Sequence, residues 1–130
     1  MAILETSFLI DLVRGKESVM MLMEKIDAQE RNLLIGAPTV QELWLGACLA
    51  KDTQIEKEKI GELLQSFNVL PFDEKSARIA GEIESVLIRR GQPIEVEDVQ
   101  IAGIAMSLGE KVVTRDEHFA RIPGLQLWKY

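Results

Sequence analysis

Four acids stand where a carboxylate could do chemistry: Glu5, Glu42, Asp98 and Asp116. Glu5 directly follows the short apolar run Ala2–Leu4, and Glu42 lies one turn into the helical stretch after Leu33–Ala37. Asp98 opens the helical stretch that precedes Val112–Val113, and Asp116 follows that run after Thr114 and Arg115. Carboxylates gathered in one place repel. Two unit charges about 5 Å apart interact by on the order of 3 kcal/mol at an effective dielectric of about 20. Raised pKa values, basic side chains or a divalent cation would have to offset that. A ligand set made only of oxygens favours Mg²⁺ or Mn²⁺ over zinc.

Each acid also has a plain structural use. Thr39-Val40-Gln41-Glu42 fits a capping box, in which the Thr and Glu side chains satisfy free backbone donors reciprocally. Asp98 in a first helical turn is favoured by the helix dipole. Asp116 could cap the short helical turn that follows it. Glu5 fits such a use least, because glutamate is a poor cap and a charge at the end of a central strand costs desolvation.

The rest of the inventory is narrow. There is one cysteine, Cys48, and one histidine, His118, so disulfides, paired-Cys metal sites and His-rich zinc sites are excluded. Ser7 has no histidine beside it to act as a base. His118 reads as a surface or helix-face residue, and Arg115 as either a phosphate contact or a solvated arginine. Trp44 and Cys48 read as inward-facing, and Met20, Met21 and Met23 as core or interface filler.

The elements that must position these residues alternate between short and long. Strand-like runs at Ala2–Leu4, Leu33–Ala37, Val69–Phe72, Lys111–Thr114 and Leu125–Trp128 are separated by helical stretches. The helices are read at Ser7–Arg14, Glu17–Ala28, Thr39–Ala50, Thr53–Phe67, Asp73–Arg90 and Val96–Leu108, with a short turn near Glu117–Arg121. Gly15, Gly91 and Gly109 are the stops. This order predicts an α/β three-layer sandwich: about five parallel strands, right-handed crossovers and helices on both faces. Ligands of such folds bind beyond the carboxyl ends of the strands, where these acids fall.

The chain has 130 residues, enough for one domain spanning 1–130, with 47% hydrophobic and 28% charged residues, which excludes disorder. No apolar run approaches the roughly 18 residues of a membrane span, and the start lacks the basic n-region of a leader, so a cytoplasmic protein is expected. Acids outnumber bases 21 to 15, for a net charge of −6. That balance argues against a nucleic-acid partner held by ordinary phosphate contacts.

Four blocks, in order, change that expectation. They are Ile3-Leu4-Glu5-Thr6-Ser7-Phe8-Leu9-Ile10-Asp11-Leu12, Pro38-Thr39-Val40-Gln41-Glu42-Leu43, Arg90-Gly91-Gln92-Pro93-Ile94 through Asp98-Val99-Gln100-Ile101-Ala102, and Thr114-Arg115-Asp116-Glu117-His118-Phe119-Ala120-Arg121-Ile122-Pro123-Gly124-Leu125. With them the whole chain resembles PIN-domain nucleases, and especially the VapC-type toxins of prokaryotic toxin–antitoxin pairs. The resemblance implies a Mg²⁺- or Mn²⁺-dependent endoribonuclease whose catalytic and metal-binding acids are Glu5, Glu42, Asp98 and Asp116. Thr6 or Ser7 and Thr114 would be supporting hydroxyls; Arg115 is a supporting residue by its place beside Asp116, not by the resemblance. It also implies an RNA substrate, a small antitoxin partner and a homodimer.

One position departs from the family. An aspartate is expected where this chain has Glu5, and the extra methylene pushes the carboxylate out by roughly 1.5 Å. Displacements of about 1 Å can cost on the order of a hundredfold in rate. The alternative is therefore a weakened or inactive PIN domain that binds RNA or an antitoxin without cutting. Glu95 adds a further acid near the site. A phosphoacceptor receiver domain and an Asp-x-Asp phosphatase are disfavoured: Glu5-Thr6-Ser7 supplies neither acidic pair, and no lysine follows Lys111–Thr114 in the required place.

Overall fold

The computed structural model describes residues 1–29 and 32–130. Five short strands form one sheet: β1 (Ala2–Leu4), β2 (Leu33–Gly36), β3 (Asn68–Leu70), β4 (Lys111–Thr114) and β5 (Leu127–Lys129). Six helices connect them: α1 (Thr6–Val13), α2 (Glu17–Gln29), α3 (Ala37–Leu49), α4 (Thr53–Leu64), α5 (Glu74–Arg89) and α6 (Val96–Leu108). The strand order is β3-β2-β1-β4-β5, and every pairing is parallel. The expected five-stranded parallel sandwich is therefore present.

Side chains of a strand point alternately to its two faces, and β1 shows this in three residues. Ile3 enters a core with Leu34 and Val112 against α5 and α6. Ala2 and Leu4 enter the opposite core with Ile35 and Val113 against α1 to α4. Apolar residues on both faces are what a sheet covered on both sides requires. Among the described residues no helix is long and apolar enough to cross a membrane.

Element ends follow local chemistry. Asp73 caps α5 by accepting from the Ser76 amide at 2.9 Å. Gly109 ends α6 in the left-handed region, at φ 67°, a backbone conformation that is strained for residues with a Cβ. Several boundaries differ from those expected. α3 begins at Ala37, with Pro38 inside its first turn, because proline needs no amide partner there. α4 stops at Leu64, and Phe67 packs into the core from the following turn. β3 ends at Leu70 because Pro71 has no amide to donate to the ladder. β5 begins two residues later than expected, at Leu127.

Candidate active site

All strands being parallel, their carboxyl ends share one edge. β1 is the switch point of the sheet: the chain runs outward from it through β2 and β3, and on its other side through β4 and β5. A crevice opens at such a point, where the loops on either side diverge. Here it is a cleft of about 590 Å³, lined by Glu5, Glu42, Glu95, Glu97, Asp98 and Asp116, with Arg115 as its single basic residue among the described residues. All four acids singled out by sequence line it.

Glu5 continues the ladder by one residue, its amide donating to Val113 O at 3.1 Å, and then starts α1. It is only 3% exposed. Its Oε2 accepts from Thr114 Oγ1 at 2.8 Å and from Ser7 Oγ. The same Thr114 hydroxyl accepts from the Asp116 amide at 2.9 Å. One hydroxyl thus links the ends of β1 and β4 and holds two of the acids in register.

Glu42 is reached from α1 as well. Thr6 Oγ1 donates to Glu42 Oε1 at 2.9 Å and lies 3.1 Å from the buried Thr39 Oγ1. The capping-box reading of Thr39 and Glu42 is thereby corrected: Gly36 occupies the cap of α3 and no side chain caps it. Both residues lie within α3, and their side chains meet Thr6 instead. Burial pushes the Glu42 carboxyl up from its ordinary value, and the charges of Glu5, Glu97 and Glu95 add to this, while the Thr6 hydrogen bond opposes it.

Asp98 lies in the first turn of α6, a helix buried on most of its surface. It is 8% exposed. Burial first, then the charges of Glu5, Asp116, Glu42 and Glu95, raise its pKa to about 7. Asp116 does cap the 3-10 turn at Glu117–Arg121, its Oδ1 accepting from the His118 amide at 2.9 Å. The capping role and a role in the cleft coexist.

Two expectations about basic groups change. Arg115 is half exposed, as a solvated arginine would be, but its guanidinium is paired with Asp11 rather than free for phosphate. Its Nε donates to Asp11 Oδ2 at 2.6 Å and its Nη2 to Asp11 Oδ1 at 3.3 Å. His118 is half exposed, as a surface residue should be, but its Nδ1 lies 3.1 Å from Asp116 Oδ1. Donor atoms of Asp98, Asp116 and His118 all fall within 4.8 Å of one another. Six ligands at about 2.1 Å place neighbouring donors roughly 3.0 Å and opposite donors roughly 4.2 Å apart, so this donor set suits a divalent cation. Glu5 and Glu42 are outside that trio and face the same cleft.

Asp11 is a neighbour of the site that its local sequence did not single out. It is 1% exposed and also meets Lys16 Nζ at 2.9 Å and the Tyr130 hydroxyl at 3.2 Å. Its signal was an acid three residues after Phe8, on the buried stripe of α1. Away from the cleft, Trp44 is 41% exposed, with Lys57 Nζ 5.9 Å from its ring centroid. Cys48 is exposed as well, so the inward reading fails for both; Met20 and Met21 are also exposed, which removes them from the core.

A parallel three-layer sandwich with an acid-lined cleft at its switch point defines a small class of protein. Residues 2–125 match the PIN domain model, and the chain belongs to that family. It is 29% identical over 125 residues to the tRNA(fMet)-specific endonuclease VapC of Salmonella typhimurium, covering 95% of this chain and 93% of the relative. A DNA-bound VapBC from the same organism superposes with a TM-score of 0.90 at 28% identity, covering 98% of this chain and 96% of that one. A toxin–antitoxin complex from Klebsiella pneumoniae shares the fold, with a TM-score of 0.71 at 23% identity over the full length of both chains. The chain is thus VapC-like in sequence and fold.

Proposed function

We propose that this protein is a divalent-metal-dependent endoribonuclease and the toxin of a toxin–antitoxin pair. The observation that carries the reading is the charge of the cleft. Among the described residues six carboxylates line it against one guanidinium, and that guanidinium is already committed to Asp11. In the absence of a cation the repulsion is relieved in part by holding a proton on Asp98.

Glu5, Glu42, Asp98 and Asp116 would hold Mg²⁺ or Mn²⁺. The cation supplies Lewis-acid stabilisation of phosphoryl oxygens and lowers the pKa of water. The protein's own part is placement. Thr114 and Ser7 hold the Glu5 carboxylate, Thr6 holds Glu42, and the capped 3-10 turn holds Asp116. Phosphate is then bound through the cation in spite of the net charge of −6. The same excess suits a small antitoxin with a basic segment. A homodimer acting in the cytoplasm completes the proposal. The nuclease names of the relatives favour this over a binding module without turnover.

The test is cleavage of RNA by the purified chain with Mn²⁺ or Mg²⁺, beside Asp98→Asn. Cleavage that needs the cation and is lost in the variant is expected. Equal, cation-independent background from both proteins would overturn the reading.

A further inference from the structure

We propose that His118 is a nitrogen donor to the cation held at Asp98 and Asp116, so that the centre mixes nitrogen with oxygen and prefers Mn²⁺ to Mg²⁺. This rests on the metal-dependent reading above and adds a ligand that an all-carboxylate site lacks.

The first argument is geometric. The 3.1 Å between His118 Nδ1 and Asp116 Oδ1 matches the spacing of adjacent ligands around a six-coordinate cation, roughly 3.0 Å for bonds of about 2.1 Å. Asp98 completes a trio whose donors lie within 4.8 Å of one another, which also accommodates an opposite pair.

The second argument is that the arrangement is built. The Asp116 amide is tied to Thr114 Oγ1, and Asp116 Oδ1 accepts from the His118 amide. These bonds set the two side chains next to each other. Phe119 is fully buried and Ile122 nearly so, which pins the 3-10 turn to the core. His118 is anchored beside the cleft by its own neighbours in sequence.

The third argument is electrostatic. A cleft already lined by six carboxylates gains a donor from another acid only at the cost of more repulsion. A neutral imidazole offers a lone pair without adding charge. Imidazole suits transition metals, whereas Mg²⁺ keeps to oxygen ligands. The simpler use of His118, a surface hydrogen bond to Asp116, predicts no nitrogen on the cation.

The experiment is pulsed EPR of Mn²⁺ bound to the full, tag-free chain. His118 is the chain's single histidine, so an imidazole signal has one source. The expected spectrum shows ¹⁴N modulation from a bound imidazole, lost in His118→Gln while Mn²⁺ remains bound. Mn²⁺ affinity should fall about tenfold in that variant. Mg²⁺ affinity should change by less than about twofold. Mn²⁺ bound to the unaltered protein without nitrogen modulation overturns the proposal and leaves the metal centre standing. Modulation that persists in His118→Gln, or survives unchanged in Asp98→Asn, also overturns it, because the nitrogen or the site is then another. Failure of the folded protein to bind Mn²⁺ at all overturns both this proposal and the metal-dependent reading.

Discussion

Arg115 Nε donates to Asp11 Oδ2 at 2.6 Å, joining the loop after β4 to α1 across 104 residues of sequence. Arg115 lines the acid cleft, and the pair consumes the one guanidinium found there among the described residues. Asp11 is almost wholly buried, and the Arg115 hydrogen bonds, helped by Lys16 and Tyr130, hold its carboxyl well below the usual range. Arg115 itself is half exposed. The loop after Thr114, which carries Asp116, is thereby fixed to α1, the helix that Glu5 precedes.

Removing the guanidinium should be felt as stability. Breaking a fully buried pair costs about 3–5 kcal/mol, and Arg115's exposure and the remaining partners of Asp11 reduce that to roughly 1–3 kcal/mol for Arg115→Ala. The midpoint of urea unfolding should fall with an unchanged slope. Asp11 contributes stability above its unfolded pKa near 4 and loses it as pH falls through the lower folded value, so the variant should also unfold at higher pH during acid titration. Coincident urea curves would show the pair to be energetically idle.

Asp98 works in the opposite direction. Its folded pKa of about 7 lies above the unfolded value near 4, so the native state holds the extra proton between them. Stability of the metal-free protein should therefore be greatest below about pH 4 as far as this group is concerned, and decline as pH rises to about 7, by roughly 2–4 kcal/mol. Asp98→Asn should flatten that slope and melt higher than the unaltered chain at pH 8. Added Mn²⁺ should raise the melting temperature of the unaltered chain more than that of the variant. Thermal melts across pH 4.5–8 give the comparison, and parallel slopes for the two proteins would contradict the account.

Glu5 is held by two hydroxyls on one oxygen, with its carboxylate a methylene further from the backbone than an aspartate's. Glu5→Asp restores the residue expected from the PIN resemblance. Single-turnover RNA cleavage with Mn²⁺ should rise by about 10- to 100-fold. An unchanged or slower rate would mean that the glutamate geometry is the working one in this chain.

α6, which carries Asp98, lies close against α5 because Gly103 has no side chain. A Cβ there would stand 2.5 Å from Ser76 O and 3.0 Å from Ala80 Cβ. Gly103→Ala should cost about 1–3 kcal/mol through overpacking. A methyl group added at Gly81 in α5 would meet nothing within 4 Å, so Gly81→Ala should gain roughly 0.5–1 kcal/mol. Thermal unfolding of the two variants should shift in opposite directions.

Local patterns in the chain were enough to determine the alternation of five short apolar runs with six helices. Val112-Val113 is β-branched, and Gly109 stops α6, because strand propensity and helix termination act within a few residues. The same patterns placed Glu5, Glu42, Asp98 and Asp116 at strand ends or helix starts, where a parallel sheet gathers them. The PIN resemblance supplied their joint meaning. Tertiary structure alone decided who meets whom. Thr39 and Glu42 look like a box from their spacing, yet both turn to Thr6, more than thirty positions away. Trp44 and Cys48 are apolar in type, yet they stand on the solvent-facing side of α3. Asp11 finds Arg115 because the sheet order sets β4 beside β1, and His118 comes within 4.8 Å of a donor of Asp98 because α6 packs back against β4. Burial and pairing are properties of neighbours distant in sequence, and no window of a few residues contains them.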